Sequence, residues 1–321
     1  MAIPPTAKAA GILATHFMKN RDSTEIQNEA YLRVLVNSIC NSRCYFCHSE
    51  GVSNLRELDA EMLTQAVKDS AALGFKKIKY SGGEPTLRKD LSVMTRAIKQ
   101  IDPSIEVSMT TNGFLLRQCI DELIEAGLDR FNVSLHSLDR QTFRKMYGVD
   151  RLDDVLEGID YSLKRKFNKI KVNLTVSSYN LDEIQRIGEY CAGRNLEFRI
   201  HDLLPSNNEA RKTMIPLEDI KTYLANKAKE IKSRASDGKL MTTYVFDSFK
   251  VDIKGRNMGK KCNGCSYISK CGEGIYAVRL DTEGILHPCL YREDLQLDYA
   301  SSVKKGNSLV TMKEAYKRMV A

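Results

Sequence analysis

Residues 31–48 read YLRVLVNSICNSRCYFCH, and the fold is decided there. An apolar, β-branched run (31–36) leads directly into a polar loop carrying Cys40, Cys44 and Cys47 in a C-x3-C-x2-C pattern. The run predicts a strand, and its mostly continuous apolar character suits a parallel sheet covered by helices. Five more strand candidates follow: KKIKYS (76–81), IEVSMTT (105–111), DRFNVSL (129–135), KIKVNLTV (169–176) and LEFRIHDL (196–203). Helix candidates fill the intervals at 58–74, 88–100, 116–127, 152–166 and 180–193. Asp59 is placed to cap the first of these and Gly74 to stop it. Six strand–helix units in succession predict an α/β protein built as a partial (β/α)6 TIM-type barrel. Sites on such folds gather at the C-terminal ends of the strands, where the cysteine loop leaves the first strand.

Residues 1–30 read as an N-terminal extension and 31–210 as the barrel. The Pro-flanked polar stretch PSNNEARKTMIP (205–216) marks a boundary, and 211–321 forms a C-terminal domain. That domain is expected to hold a helix over 217–234, a strand at 242–247, a cysteine-rich segment and a last helix near 309–319. The whole chain has 321 residues, 42% hydrophobic and 28% charged, which excludes disordered and collagen-like classes. No apolar run approaches the roughly 18–20 residues of a membrane span. The N-terminus lacks a signal-peptide core, so the expected location is cytoplasmic. The net charge of +8 is spread along the chain without a basic tail. It reads as a solvated surface, or as a pocket for an anionic small molecule, rather than as a nucleic-acid surface.

Nine cysteines, an odd number, fall mostly into two groups, which points to metal ligation in a reducing compartment and not to disulfides. Cys119 and Cys191 lie in helix-like stretches and read as small buried hydrophobes. The three thiolates of the first group can hold three corners of a cubane cluster and leave one iron without a protein ligand. Zinc with His48 as fourth ligand is the alternative on spacing alone. The second group is Cys262, Cys265, Cys271 and Cys289. A hairpin turning at Asp281-Thr-Glu-Gly284 can return Cys289 towards Cys271. Four converging cysteines suit either a tetrahedral zinc or an iron–sulfur cluster, fully ligated or held by three of the four.

Tyr45 and Phe46 complete a C-x3-C-x-aromatic-C motif, and Ser81-Gly82-Gly83-Glu84-Pro85 follows the second strand. Together these resemble the radical S-adenosylmethionine (SAM) enzymes. Thr110-Thr-Asn-Gly113, Asn132-Val-Ser-Leu-His-Ser-Leu-Asp139, Lys171-Val-Asn173 and Arg279-Leu-Asp-Thr-Glu-Gly-Ile-Leu-His-Pro-Cys-Leu290 occur in order. Within the superfamily they are similar to the GTP 3′,8-cyclases of molybdenum-cofactor biosynthesis.

The resemblance implies two [4Fe-4S] clusters, the first on Cys40, Cys44 and Cys47 and the second in the C-terminal domain. It implies SAM bound at the open iron, with Gly82, Gly83, Glu84, Thr111, Asn112, Ser134 and Asn173 around it. Physically, the glycines let backbone approach a ligand and Glu84 offers an anion to an ammonium. It implies reductive cleavage of SAM to a 5′-deoxyadenosyl radical, fed by an external electron donor of the flavodoxin or ferredoxin type. The substrate would be small, phosphorylated and nucleotide-like, facing Lys79, Lys171, Arg199 and Arg279.

Two departures bear on the substrate. Ile275 stands where the cyclases carry a cluster cysteine, and Ala277 where they carry an arginine. The stretch from Cys271 through Gly284 to Cys289 instead resembles the hairpin of SPASM and twitch enzymes, which modify peptides, sugars or alcohols. A zinc-stapled, non-enzymatic module binding nucleic acid is disfavoured by the Gly-Gly-Glu segment in register. His136 and His201, near strand ends, together with Glu50 and Asp202, are further candidates to face substrate; His16 and His287 read as structural.

Overall fold

The computed structural model describes residues 30–48, 56–236, 239–255, 262–266 and 277–320. His16, Glu50, Cys271 and Ile275 lie outside the described residues. The six expected strands form as β1 (Tyr31–Asn37), β2 (Lys77–Gly82), β3 (Glu106–Thr111), β4 (Arg130–Ser134), β5 (Ile170–Val176) and β6 (Glu197–Asp202). They lie side by side in chain order and all parallel. Two strands from the C-terminal part extend this parallel run. β9 (Lys250–Lys254) adds beside β6, and β10 (Ala277–Leu280) adds beside β1. The outer edges are antiparallel. β8 (Lys239–Val245) and β7 (Glu230–Ser236) follow β9, while β11 (Ile285–His287) and β12 (Leu297–Asp298) follow β10. Among the described residues β9 and β10 do not pair, so the parallel strands form a partial barrel.

Helices α1 (Ala60–Ala72), α2 (Leu91–Ile101), α3 (Leu116–Glu125), α4 (Arg140–Tyr147), α5 (Leu152–Lys164) and α6 (Glu183–Ala192) connect the strands. Asp59 caps α1 by accepting from the Met62 N–H at 2.8 Å. The sequence reading did not anticipate α4. Asp139 caps it, Gly148 ends it at φ +69°, and Phe143, Met146 and Tyr147 form its buried stripe.

Two expectations need correction. The sequence suggests mostly continuous apolar strands, but in the structure they alternate. Leu32, Val34, Ile78, Tyr80, Val107, Met109, Phe131 and Val133 are buried in the hydrophobic core. Arg33, Lys79, Ser108, Asn132 and their kin face a cavity inside the barrel. The interior is therefore a site and not a packed core. The helix expected over 217–234 stops early. After α7 (Asn208–Thr213), α8 spans Leu217–Ala225 and buries Leu217, Ile220 and Leu224. The apolar stripe ends there, and Lys229 N–H bonds to the Val245 carbonyl to start the β7–β8 ladder.

The last helices, α9 (Tyr299–Lys304) and α10 (Ser308–Val320), pack on α1. Tyr299 Oη donates to Asp69 Oδ2 at 2.6 Å, Ser70 and Tyr316 hydroxyls meet at 2.8 Å, and the Tyr316 ring stacks on Phe75. This contact covers the outer face beside β1 and holds β10 in the sheet. No helix of the described residues is long and apolar enough to cross a membrane.

Candidate active site

The cysteine loop leaves the C-terminal end of β1 and is clasped from three sides. Arg43 N–H and Ser42 Oγ both bond to the Tyr147 carbonyl at the end of α4, at 2.8 and 3.1 Å. A Cβ on Gly148 would strike Arg43, which explains the glycine there. Asn207 Nδ2 and Ser206 Oγ bond to the carbonyls of Tyr45 and Phe46, and the Tyr45 and Thr213 hydroxyls meet at 3.1 Å. The result is a fixed loop carrying three thiols, with Cys44 and Cys47 joined in one turn by the Cys47 N–H to Cys44 carbonyl bond at 3.0 Å. Cys40 and Cys47 are exposed, and Cys44 is half-buried beside the Ser42 hydroxyl. Burial pushes the Cys44 thiol up to about 12, and it raises Cys40 too, so iron binding has to displace protons from both.

The Gly-Gly-Glu segment leaves β2 directly against this loop. Gly83 N–H bonds to the Asn37 carbonyl at 3.0 Å and Glu84 N–H to the Ile39 carbonyl at 2.7 Å. Cβ atoms on Gly82 and Gly83 would overlap the carbonyl oxygens of Asn37 and Ile39. The glycines thus serve first to let two backbones touch, which the sequence reading attributed to ligand approach alone. Glu84 is buried and pins the segment to β3. Its Oε1 accepts from Thr86 N–H, Thr86 Oγ1 and Thr111 Oγ1 at 3.0, 2.6 and 2.6 Å, and its Oε2 accepts from Asn112 N–H at 2.6 Å. Burial raises the Glu84 carboxyl and these donors oppose it. Oε2 carries this one hydrogen bond, against three on Oε1. Asn112 continues the chain of contacts, donating to Asn41 Oδ1 at 2.7 Å and lying 3.9 Å from Cys40 Sγ. Gly83→Ala is therefore expected to displace the cysteine loop. The expected readouts are a loss of about 1–3 kcal/mol in denaturant unfolding and a fall in reconstituted iron per chain.

Beneath the two loops lies a cavity of about 340 Å³, within the usual range of small-ligand sites, about 300–1,000 Å³. Arg279, Arg33 and Lys79 stand side by side in register on β10, β1 and β2, all lining it. Like charges on adjacent strands destabilise a sheet, and an anion between them reverses the sign. Arg199 and Lys254 line the wall on β6 and β9, and Arg130 lies nearer the base beside Glu106. Arg199 Nε is buried with no hydrogen-bond partner. At the C-terminal ends, Ser134 and Asn173 line the cavity with Phe46 and His48. The Oδ1 atoms of Asn132 and Asn173 are buried acceptors without a partner.

The candidate residues divide accordingly. Ser134, Asn173, Arg199, Lys79, Arg279, His201 and Asp202 meet in the cavity. Lys171, on β5, is engaged by Glu197 at 2.6 Å, and burial beside Arg199 pushes it down to about 8. Thr111 and Asn112 hold Glu84, while Thr110 lines the cavity. His136 stays out of it. Its Nδ1 accepts from the Thr175 N–H at 3.2 Å, its ring stacks on Tyr147, and burial holds it neutral with a pKa of about 3. Arg33, Arg130 and Asn132 are not among the cavity residues expected from sequence; the alternation of 129–135, DRFNVSL, is a signal for the last two, and 31–36 holds none for Arg33.

In the C-terminal part, Cys265 N–H bonds to the Cys262 carbonyl at 3.1 Å, and Arg292 faces both Cys265 and Cys289. The expected hairpin forms: Asp281 N–H bonds to the Ile285 carbonyl, Gly284 takes φ +82°, and Asp281 Oδ2 meets His287 Nε2 at 2.7 Å. No group of three or more His, Cys, Asp or Glu among the described residues is gathered for a single metal ion.

Fold and site together define a partial-barrel enzyme whose first β-strand loop presents three thiols over a cationic cavity. Residues 34–191 match the model of the radical SAM superfamily. A probable GTP 3′,8-cyclase of Sulfurisphaera tokodaii is 33% identical over 90% of this chain and 91% of its own length. One of Thermococcus kodakarensis is 33% identical over 90% and 94%. Among solved structures, Streptococcus suis SuiB bound to S-adenosylmethionine superposes with a TM-score of 0.63 at 14% identity, covering 91% of this chain and 67% of that one. The chain belongs to the radical SAM superfamily and is an enzyme of it. Membership implies SAM and one [4Fe-4S] cluster, and the residues present fit them. Three cysteines share one loop, and orphaned buried acceptors on Asn132 and Asn173 face the cavity.

Proposed function

We propose that this enzyme acts on a nucleoside triphosphate, GTP in the first instance, in a 3′,8-cyclase-type reaction. The observation that supports this best is the row Arg279–Arg33–Lys79 in the cavity below the cysteine loop. Arg and Lys in register suit a chain of phosphates through charge-assisted hydrogen bonds. Arg199 completes the anion site, with Lys171 behind it held by Glu197. Cys40, Cys44 and Cys47 hold the [4Fe-4S] cluster. Gly82, Gly83, Glu84, Thr111 and Asn112 would shape one part of the SAM site, and Ser134 and Asn173 would offer it hydrogen bonds from the cavity. SAM bound there would supply hydrogen-abstracting radical chemistry on one-electron reduction. The residues of the barrel hold substrate in line with it and keep water away.

A second [4Fe-4S] cluster held by three or four of Cys262, Cys265, Cys271 and Cys289 belongs to the same reading, supported by the shared surroundings of Cys265 and Cys289; ligation by all four would favour the twitch-type alternative. An external flavodoxin- or ferredoxin-type donor meets the first cluster where Ile39, Cys40 and Cys47 are exposed.

Joining C3′ to C8 begins with loss of the C3′ hydrogen. With GTP deuterated at C3′, the 5′-deoxyadenosine formed is expected to carry deuterium. Unlabelled 5′-deoxyadenosine at the background rate would reject GTP and favour a peptide, sugar or alcohol substrate.

A further inference from the structure

His201 is a titratable side chain in the cavity with no task in the scheme above. It lies on β6, two residues after Arg199 on the same inward face, beside Thr175 of β5 in register, and it lines the cavity. No hydrogen bond from a described residue reaches either ring nitrogen. Its place is above the cationic row and below the loops that hold the cofactor.

The charges that face it come from four strands: Arg33 on β1, Lys79 on β2, Arg199 on β6 itself and Lys254 on β9. Thr175 on β5 brings none. The carboxylates on these elements are Glu197 and Asp202 on β6 and Asp252 on β9; Glu197 is engaged by Lys171 at 2.6 Å, and Asp202, the next residue after His201, is also at the cavity. Asp252 is taken up by the Thr243 hydroxyl at 2.6 Å. Burial and the four cations together hold the imidazole well below the ordinary histidine range. A neutral ring offers one donor and one lone pair.

A polyanion changes this balance. Phosphates seated on Arg33, Lys79 and Arg199 offset three of the four cations that act on the ring, and they place acceptor oxygens beneath it. A doubly donating imidazolium then fits better than the neutral ring. We infer that His201 binds the anionic substrate as an imidazolium, so that filling the cavity with a polyphosphate draws one proton from solvent. The inference rests on the proposed polyphosphate site. The sign follows from linkage: a group whose pKa is higher in the complex than in the free protein makes binding tighter as pH falls between the two values. The change is at most about tenfold per pH unit for one proton.

The test uses anaerobically reconstituted enzyme and inorganic tripolyphosphate. Wild type, His201→Asn and His201→Gln are titrated by calorimetry at about pH 6.5 in two buffers of different ionisation heat. This pH is below the range in which Lys171 titrates, about 8, and the probe's own protonation is common to all three proteins. Wild type is expected to take up about one more proton per anion than either variant, and both variants are expected to lose most of the tightening at low pH. Equal proton counts in all three would overturn the role of His201 and leave the polyphosphate site standing. Failure of wild type to bind tripolyphosphate would overturn both.

Discussion

Cys44→Ser enzyme, purified without oxygen, is expected to lose the first cluster and with it all measurable cleavage of SAM. Cys44 is the most enclosed of the three thiols, clasped beside Ser42 and the end of α4. A serine hydroxyl there keeps the packing but offers iron no thiolate, and the thiolate is the ligand. The loss is expected to exceed about 10³-fold, since a two-cysteine site holds no stable cubane. Iron per chain is expected to fall by about half if the C-terminal cysteines keep their own cluster. Iron analysis together with chromatography of 5′-deoxyadenosine checks both points. Full iron content and undiminished cleavage would show that the loop does not carry the chemistry.

The second large effect concerns substrate. Lys79→Ala combined with Arg279→Ala removes two of the three cations that stand in register across β10, β1 and β2. Each charge-assisted hydrogen bond contributes about 1.5–3 kcal/mol, so triphosphate affinity is expected to fall by about 10²- to 10⁴-fold. Slow cleavage of SAM without substrate is expected to survive, because the cysteine and Gly-Gly-Glu loops are untouched. Titration with GTP beside a substrate-free cleavage assay separates the two. Equal affinity in the variant would remove the phosphates from this row.

The architecture was legible because local signals agreed with one another. Six strands appear within a residue or two of where the β-branched runs place them, and Asp59 and Gly74 bracket α1. The cysteine loop and the Gly-Gly-Glu segment could be read because their chemistry is concentrated in a few residues. What escaped is distributed over the fold. Arg33 carries no mark in the chain that distinguishes it from any other surface arginine, and only the register with Lys79 and Arg279 gives it a place in the row. The packing role of Gly82 and Gly83 is hidden for the same reason. Their nearest neighbours are Asn37 and Ile39, more than forty residues away in sequence. The helix expected through residue 234 stops early because charged residues are tolerated on an edge strand as well as on a helix, and pairing with β8 decided the matter.

The account turns on an iron that the protein itself leaves uncoordinated. Electron paramagnetic resonance of the reduced enzyme, in a Cys262→Ala, Cys265→Ala background that isolates the first site, addresses this directly. A [4Fe-4S]+ signal that changes shape when SAM is added is the predicted result. A signal indifferent to SAM, or zinc in place of iron at this loop, would contradict it.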